Sequence, residues 1–160
     1  QMKKSDIKTN AMRLLEQKKI PYTVHNYVDS GVISGMEVAQ VLGEDPDVVF
    51  KTLVTVGKSG EHYVFVVPVS RELDLKKAAQ AAGEKSISMI KSKDLLDLTG
   101  YIHGGCSPVG MKKFFRTFVD SSAEKTETIM VSGGKVGYQI EIAPAELAKV
   151  IRFSFADIAE

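Results

Sequence analysis

The spacing of apolar positions divides the chain into short helix-like and strand-like stretches. Ile7, Ala11, Leu14 and Leu15 fall at i, i+4, i+7 and i+8, which is one face of a helix. Ser5 or Asp6 can cap its start, and Pro21 follows its end. Residues 22–27 (YTVHNY) alternate as a short strand. Ser34-Gly35-Met36-Glu37 is a capping box, so a helix is expected to follow and to stop at Gly43. Residues 48–56 and 63–69 are rich in β-branched and aromatic side chains, and the polar link between them predicts a hairpin. Pro68 places the end of the second strand near an edge or a bulge. Residues 74–82 read as a helix closed by Gly83, 86–90 as a strand and 93–98 as a short helix before Gly100. Further strands are expected at 114–119, 128–131 and 136–142. Ala143-Pro144 then opens a last helix with Pro in its first turn, where the missing N–H is harmless.

Strands and helices mix without a regular βαβ alternation, which predicts an α+β fold. No linker, low-complexity run or repeat interrupts the pattern, so residues 1–160 are expected to form a single domain. Its 160 residues are enough for a core that needs neither disulfide nor metal. The single cysteine, Cys106, excludes an intrachain disulfide framework and points to a reducing compartment. No stretch approaches the ~20 apolar residues of a membrane span, and the N-terminal segment lacks the apolar core of a signal peptide. Gln1 ahead of Met2 reads as an added residue. The expected location is the cytoplasm. Lys and Arg total 21 against 20 Asp and Glu, with no basic excess in either half, which argues against a protein that wraps long duplex nucleic acid.

Several familiar chemistries fail on spacing. His25, His62 and His103 lie far apart, and none pairs with a second cysteine at zinc-ligand spacing. Gly57-Lys58-Ser59 has the tail of a phosphate-binding Walker loop, but position 52 is Thr where the first Gly is needed. Ser107, in Gly104-Gly105-Cys106-Ser107-Pro108, suggests a nucleophile elbow. That device uses the N–H of the residue after the serine, and Pro108 has none. Cys106 beside His103 reads as a small buried or half-buried thiol rather than a nucleophile.

Lys51 is the most informative residue, because it interrupts the apolar run Val48-Val49-Phe50-Lys51-Thr52-Leu53-Val54. At period two it shares a face with Val49, Leu53 and Thr55. It is either an edge gatekeeper against aggregation or a cation aimed into a pocket, where it could bind phosphate or polarise a carbonyl. Gly104-Gly105 and the Ser132-Gly133-Gly134-Lys135-Val136-Gly137 stretch are two glycine clusters whose N–H groups could form an anion or oxyanion nest. The second also suits an ordinary hairpin turn. Tyr27 offers a stacking face and a hydroxyl, or simple core packing. Lys76-Lys77, Lys112-Lys113 and Arg116 read as solvated faces.

Taken in order, these segments resemble one family. They are Phe50-Lys51-Thr52-Leu53; Leu73-Asp74-Leu75-Lys76-Lys77-Ala78-Ala79; Thr99-Gly100-Tyr101 leading into Gly104-Gly105-Cys106-Ser107-Pro108-Val109-Gly110; Val131 to Gly137; and Glu141-Ile142-Ala143-Pro144. From about Lys8 to the C-terminus the chain resembles the YbaK/EbsC family, free-standing relatives of the editing domain inserted in bacterial prolyl-tRNA synthetases. The resemblance implies a mixed, mostly antiparallel sheet forming a partly open barrel with flanking helices. It implies an aminoacyl-tRNA deacylase that removes cysteine from mischarged Cys-tRNA(Pro), and from Cys-tRNA(Cys), without cofactor, metal or protein nucleophile. The family's essential lysine matches Lys51, its supporting tyrosine Tyr27, and its pocket glycine and serine Gly104 and Ser132. Thr52 and Gly105 adjoin those positions and are taken with them as substrate-binding. The implied partners are the 3′-terminal aminoacyl-adenosine of tRNA and a prolyl-tRNA synthetase, with no DNA and no membrane. The implied reaction is substrate-assisted: the cysteinyl thiol attacks its own ester. Cys106 fills the variable position of its loop and inherits no role. An Ala-tRNA(Pro) deacylase on the same fold, or a non-catalytic module binding a nucleotide, an aminoacyl-adenylate or a synthetase, are the alternatives. A near-neutral charge is compatible with gripping one terminal nucleotide and few phosphates.

Overall fold

A computed structural model of the chain describes residues 8–160. The expected caps Ser5 and Asp6, and the place of Ile7 on the first helix face, lie outside the described residues, as do Gln1 and Met2. Helix α1 is Asn10–Gln17, and Thr9 caps it by accepting from Met12 N at 3.1 Å. The Thr9 hydroxyl donates in turn to Gly133 O, tying the helix start to the second glycine cluster. Strand β1 is Thr23–Asn26. Helix α2 is Gly35–Leu42, capped by Ser34 Oγ accepting from Glu37 N and stopped at Gly43. Strands β2 (Phe50–Gly57) and β3 (His62–Pro68) form the expected hairpin. Helix α3 (Leu75–Ala82) starts on Asp74, which accepts from two N–H groups, and ends at Gly83. The rest of the chain runs β4 (Ile87–Met89), α4 (Leu95–Thr99), β5 (Arg116–Asp120), β6 (Ile129–Ser132), β7 (Tyr138–Ile142), α5 (Pro144–Leu147) and β8 (Phe153–Ala156).

The fold is α+β, with two sheets. One has the order β1-β7-β6, the other β4-β2-β3-β5-β8. Among the described residues β3–β5 and β5–β8 are the parallel pairings, and the other four are antiparallel. Strand β8 was not foreseen. Phe153-Ser154-Phe155-Ala156 is a four-residue, partly exposed edge, and its pairing to β5 spans more than thirty residues, so no local pattern announces it. Pro68 is not on an edge strand, since β3 lies between β2 and β5. Val69 N donates to Val49 O, so Pro68, one residue back, turns its nitrogen towards the β5 side, where that ladder has already ended at Val66.

The sheets meet at one bridge, Val49 beside Met130, where Met130 N donates to Val48 O at 2.9 Å. They do not close into a barrel among the described residues; the arrangement stays open on one side. The main core fills the space between the sheets and α1, with Met12, Leu15, Phe50, Val54, Val64, Val131 and Ile140. A second cluster sits under α3, where Phe65 and Phe118 stack at 5.4 Å against Ala78 and Ala82. Both faces of β3 are thereby covered, which accounts for its uninterrupted apolar run. The last residues are tied down at the edge of this sheet. Asp120 Oδ1 accepts from Ile158 N and Ala159 N, each at 3.2 Å, while Glu160 N donates to Glu72 O at 3.0 Å. No helix among the described residues is long and apolar enough to cross a membrane.

Candidate functional site

Between the bridge at Val49 and the pairing with β4 at Thr55, strand β2 has β3 on one side and no strand on the other. A cleft of about 580 Å³ occupies this gap at the seam of the two sheets. Tyr27, Lys51, Thr52, Gly104 and Ser132, drawn from segments more than a hundred residues apart at the extremes, all line it. Lys51 lies on this locally unpaired stretch of β2, and its side chain lines the cleft. The side chain is 27% exposed, and Nζ lies 3.4 Å from Glu72 Oε2, whose own side chain is 74% exposed.

The two glycine clusters pack on each other. Gly104 has φ +84°, and a Cβ there would come within 2.7 Å of Ile33 Cγ2. Only glycine meets both the backbone and the space requirement. Gly105 is not part of the lining but stands behind it: a Cβ there would lie 3.0 Å from Val136 N and 3.1 Å from Lys135 Cα. Gly105 thus sets the distance between the two loops. Ser132 Oγ accepts from Gly134 N at 3.2 Å, which fixes the turn leaving β6. Tyr27 is buried, with its N–H donating to Gly137 O at 2.8 Å, so the same turn also places the phenol.

Cys106 lines the cleft but is 9% exposed, and burial pushes its thiol up to about 11, so it is protonated at neutral pH and a poor nucleophile. Ser107 is fully buried, and its Oγ accepts from Val109 N at 3.2 Å, shaping a turn. No group of three or more His, Cys, Asp or Glu side chains among the described residues could hold a metal ion. A separate cavity of about 430 Å³ near α5 is lined by Pro144, Phe153 and Phe155 among others, and none of the sequence-derived candidates borders it.

Two residues at the site went unrecognised. Glu72, the carboxylate partner of Lys51, lies in a segment with no local signature. Gln139 in β7 falls, by the alternation of residues 136–142, on the polar face, which normally meets water. Here that face meets the cleft. Gln139 is 7% exposed and is the direct cross-strand neighbour of Ser132. Its Oε1 and the Oγ1 of Thr52 are both buried with no hydrogen-bond partner. The site thus combines the Lys51 cation, the Tyr27 phenol, the Glu37 carboxylate and two unmatched oxygen acceptors. Such a set can hold a polar ester without supplying a nucleophile of its own.

An open mixed sheet with a single lysine at a glycine-walled cleft defines a class of small editing-type domain, and comparison with known proteins identifies it. The model of the aminoacyl-tRNA editing domain matches residues 32–150, and the chain belongs to this family. It is 47% identical over 157 residues to EbsC of Enterococcus faecalis, a protein provisionally named Cys-tRNA(Pro)/Cys-tRNA(Cys) deacylase, with 98% of this chain and 96% of that protein covered. It is 32% identical over 103 residues to a proline–tRNA ligase of Thermosipho melanesiensis, which is 64% of this chain but 18% of the ligase. A solved structure described as a provisional trans-editing enzyme for prolyl-tRNA synthetase superposes with a TM-score of 0.84 at 26% identity, covering 94% of this chain and 95% of that one.

Proposed function

We propose that the chain, acting as one domain over residues 1–160, is a cytoplasmic trans-editing deacylase that removes cysteine from Cys-tRNA(Pro), and also from Cys-tRNA(Cys). The observation that carries this reading is the convergence of Lys51, Thr52, Tyr27, Gly104 and Ser132 on one cleft. The near full-length similarity to EbsC supports the choice of cysteine over alanine.

The aminoacyl ester is already activated, so the protein has to orient it and stabilise the charge that develops on its carbonyl oxygen. The cysteinyl sulfur attacks its own ester carbon; a C–S bond forms, the bond to the ribose oxygen breaks, and the thiol proton ends on the released ribose hydroxyl. The products are tRNA and a cyclic thioester. Intramolecular attack supplies a large effective concentration. Lys51 and the N–H groups of the Gly104 loop stabilise the oxyanion, by about 3–4 kcal/mol for one well-aimed donor. Tyr27 and Ser132 border the amino-acid end, Thr52 lines the same cleft as the next residue along β2, and Gly105 holds the loop wall in place. Proline has no thiol, so correctly charged Pro-tRNA(Pro) survives. With a formal charge of +1 the protein grips few phosphates, and a prolyl-tRNA synthetase partner supplies discrimination among tRNA bodies.

The test is a deacylation panel of purified protein with Cys-, Ala- and Pro-tRNA(Pro). Release of cysteine alone is expected. Faster release of alanine would replace this reading with the alanine editor, and tight tRNA binding without turnover would replace it with a binding module.

A further inference from the structure

Gln139 is 7% exposed, its Oε1 is buried with no partner, and it lines the same cleft as Lys51. An orphaned buried acceptor is costly, and native folds tolerate few of them. A second one, Thr52 Oγ1, lines the same cleft on the residue next to Lys51. Neither makes a hydrogen bond within the protein; Ser122 Oγ, the other such atom among the described residues, lies outside the cleft.

A donor for them must lie close to a group that wants a cation, because Lys51 shares the cleft. An aminoacyl ester has this pairing on adjacent carbons: a carbonyl oxygen that becomes negative, and an α-ammonium with three N–H donors. Lys51 already has one exposed carboxylate partner in Glu72, at 3.4 Å, and Glu37 is a carboxylate elsewhere on the lining; a further carboxylate beside these acceptors would compete for the lysine. A carboxamide and a hydroxyl accept from the ammonium without adding a negative charge beside the lysine. We infer that Gln139, with Thr52, forms the subsite that binds the α-amino group of the substrate's amino acid, so that the protein reads the free amine as well as the side chain.

This assignment rests on the deacylase reading above, and the experiment separates the two. Wild type, Gln139→Met and Thr52→Val are compared on Cys-tRNA(Pro) and on N-acetyl-Cys-tRNA(Pro), with thermal unfolding of each protein. Wild type is expected to prefer the free amine by tenfold or more. Loss of a hydrogen bond to a charged group lowers kcat/KM of Gln139→Met on the free-amine substrate by about ten- to a hundredfold and brings the two substrates close together. Both variants keep or raise the melting temperature, since each removes an orphaned polar atom. A structural glutamine, or one satisfied by a buried water, would lower it. Preserved discrimination in Gln139→Met, or a lowered melting temperature, overturns the inference. A second arm needs no turnover: cysteine methyl ester should raise the melting temperature of wild type, N-acetylcysteine methyl ester should not, and Gln139→Met should lose the difference. Wild type that deacylates neither tRNA but shows the amine-dependent shift would refute the deacylase reading and leave the subsite standing. Absence of the shift would refute the subsite.

Discussion

Replacing Lys51 with methionine should separate catalysis from stability. Methionine keeps an apolar stem against the cross-strand neighbour Val67 and removes the ammonium. The interaction lost on the protein side is the pair with Glu72, at 3.4 Å and with side chains 27% and 74% exposed. Solvent screens a pair this open, so its contribution to folding is about 0–1 kcal/mol. A chain of this size shifts its melting temperature by ~2–4 °C per kcal/mol, so the change should stay below about 4 °C. On the reaction side the missing donor is worth ~3–4 kcal/mol, a loss of about two to three orders of magnitude in the chemical step. Single-turnover release of cysteine from Cys-tRNA(Pro), measured beside a thermal melt of the same preparation, reads both numbers. A folded Lys51→Met protein that works within about threefold of wild type would refute the role given to the lysine. A fall of more than ~10 °C would show instead that Lys51 holds the fold.

Gly104→Ala places a methyl at φ +84° and close to Ile33; because Ile33 is half exposed and can swing away, the main cost is the backbone, about 1–2 kcal/mol. A modest drop in melting temperature with a larger loss of deacylation is expected, and an unchanged rate would remove Gly104 from the site. Cys106→Ala should retain activity, and the Cys106 thiol, buried and titrating near 11, should be alkylated at pH 8 far more slowly in the folded than in the unfolded protein; fast alkylation of native protein would contradict that burial. Burial pushes the Asp120 carboxyl up, but hydrogen bonds from Ser122, Ile158 and Ala159 outweigh it and hold the group below its ordinary value. Its folded value lies below its unfolded one, so its stabilisation is full above pH ~4 and is lost as pH falls through the folded value. The acid limb of a stability–pH curve should therefore be shallower in Asp120→Asn than in wild type, and identical limbs would refute this.

Local rules carried most of the fold. The capping residues Ser34 and Asp74, the stops at Gly43, Gly83 and Gly100, and the hairpin of β2 and β3 all follow from neighbours in sequence. What local rules could not reach was set by distant partners. Strand β8 exists because β5 offers an open parallel edge. The site shows the same division. Lys51 stood out because a charge broke an apolar run, and the glycine clusters because glycine is restrictive to replace. That those clusters touch each other was not visible, since the contact joins residues thirty positions apart. Gln139 was hidden because a polar residue on an alternating strand ordinarily faces water, and only the seam between the sheets turns that face inward.

Glu72 reaches Lys51 from a short segment that the end of the chain holds in place. Glu160 N bonds to Glu72 O, Asp74 N to Ile158 O, and the Arg71 guanidinium to Ala159 O at 2.9 Å. The counter-ion of the central lysine is therefore suspended from residues 158–160, at the far end of the chain. Cutting the chain before residue 158 would release that suspension and take a loosely held carboxylate away from Lys51, altering the charge a substrate meets without touching any residue of the cleft.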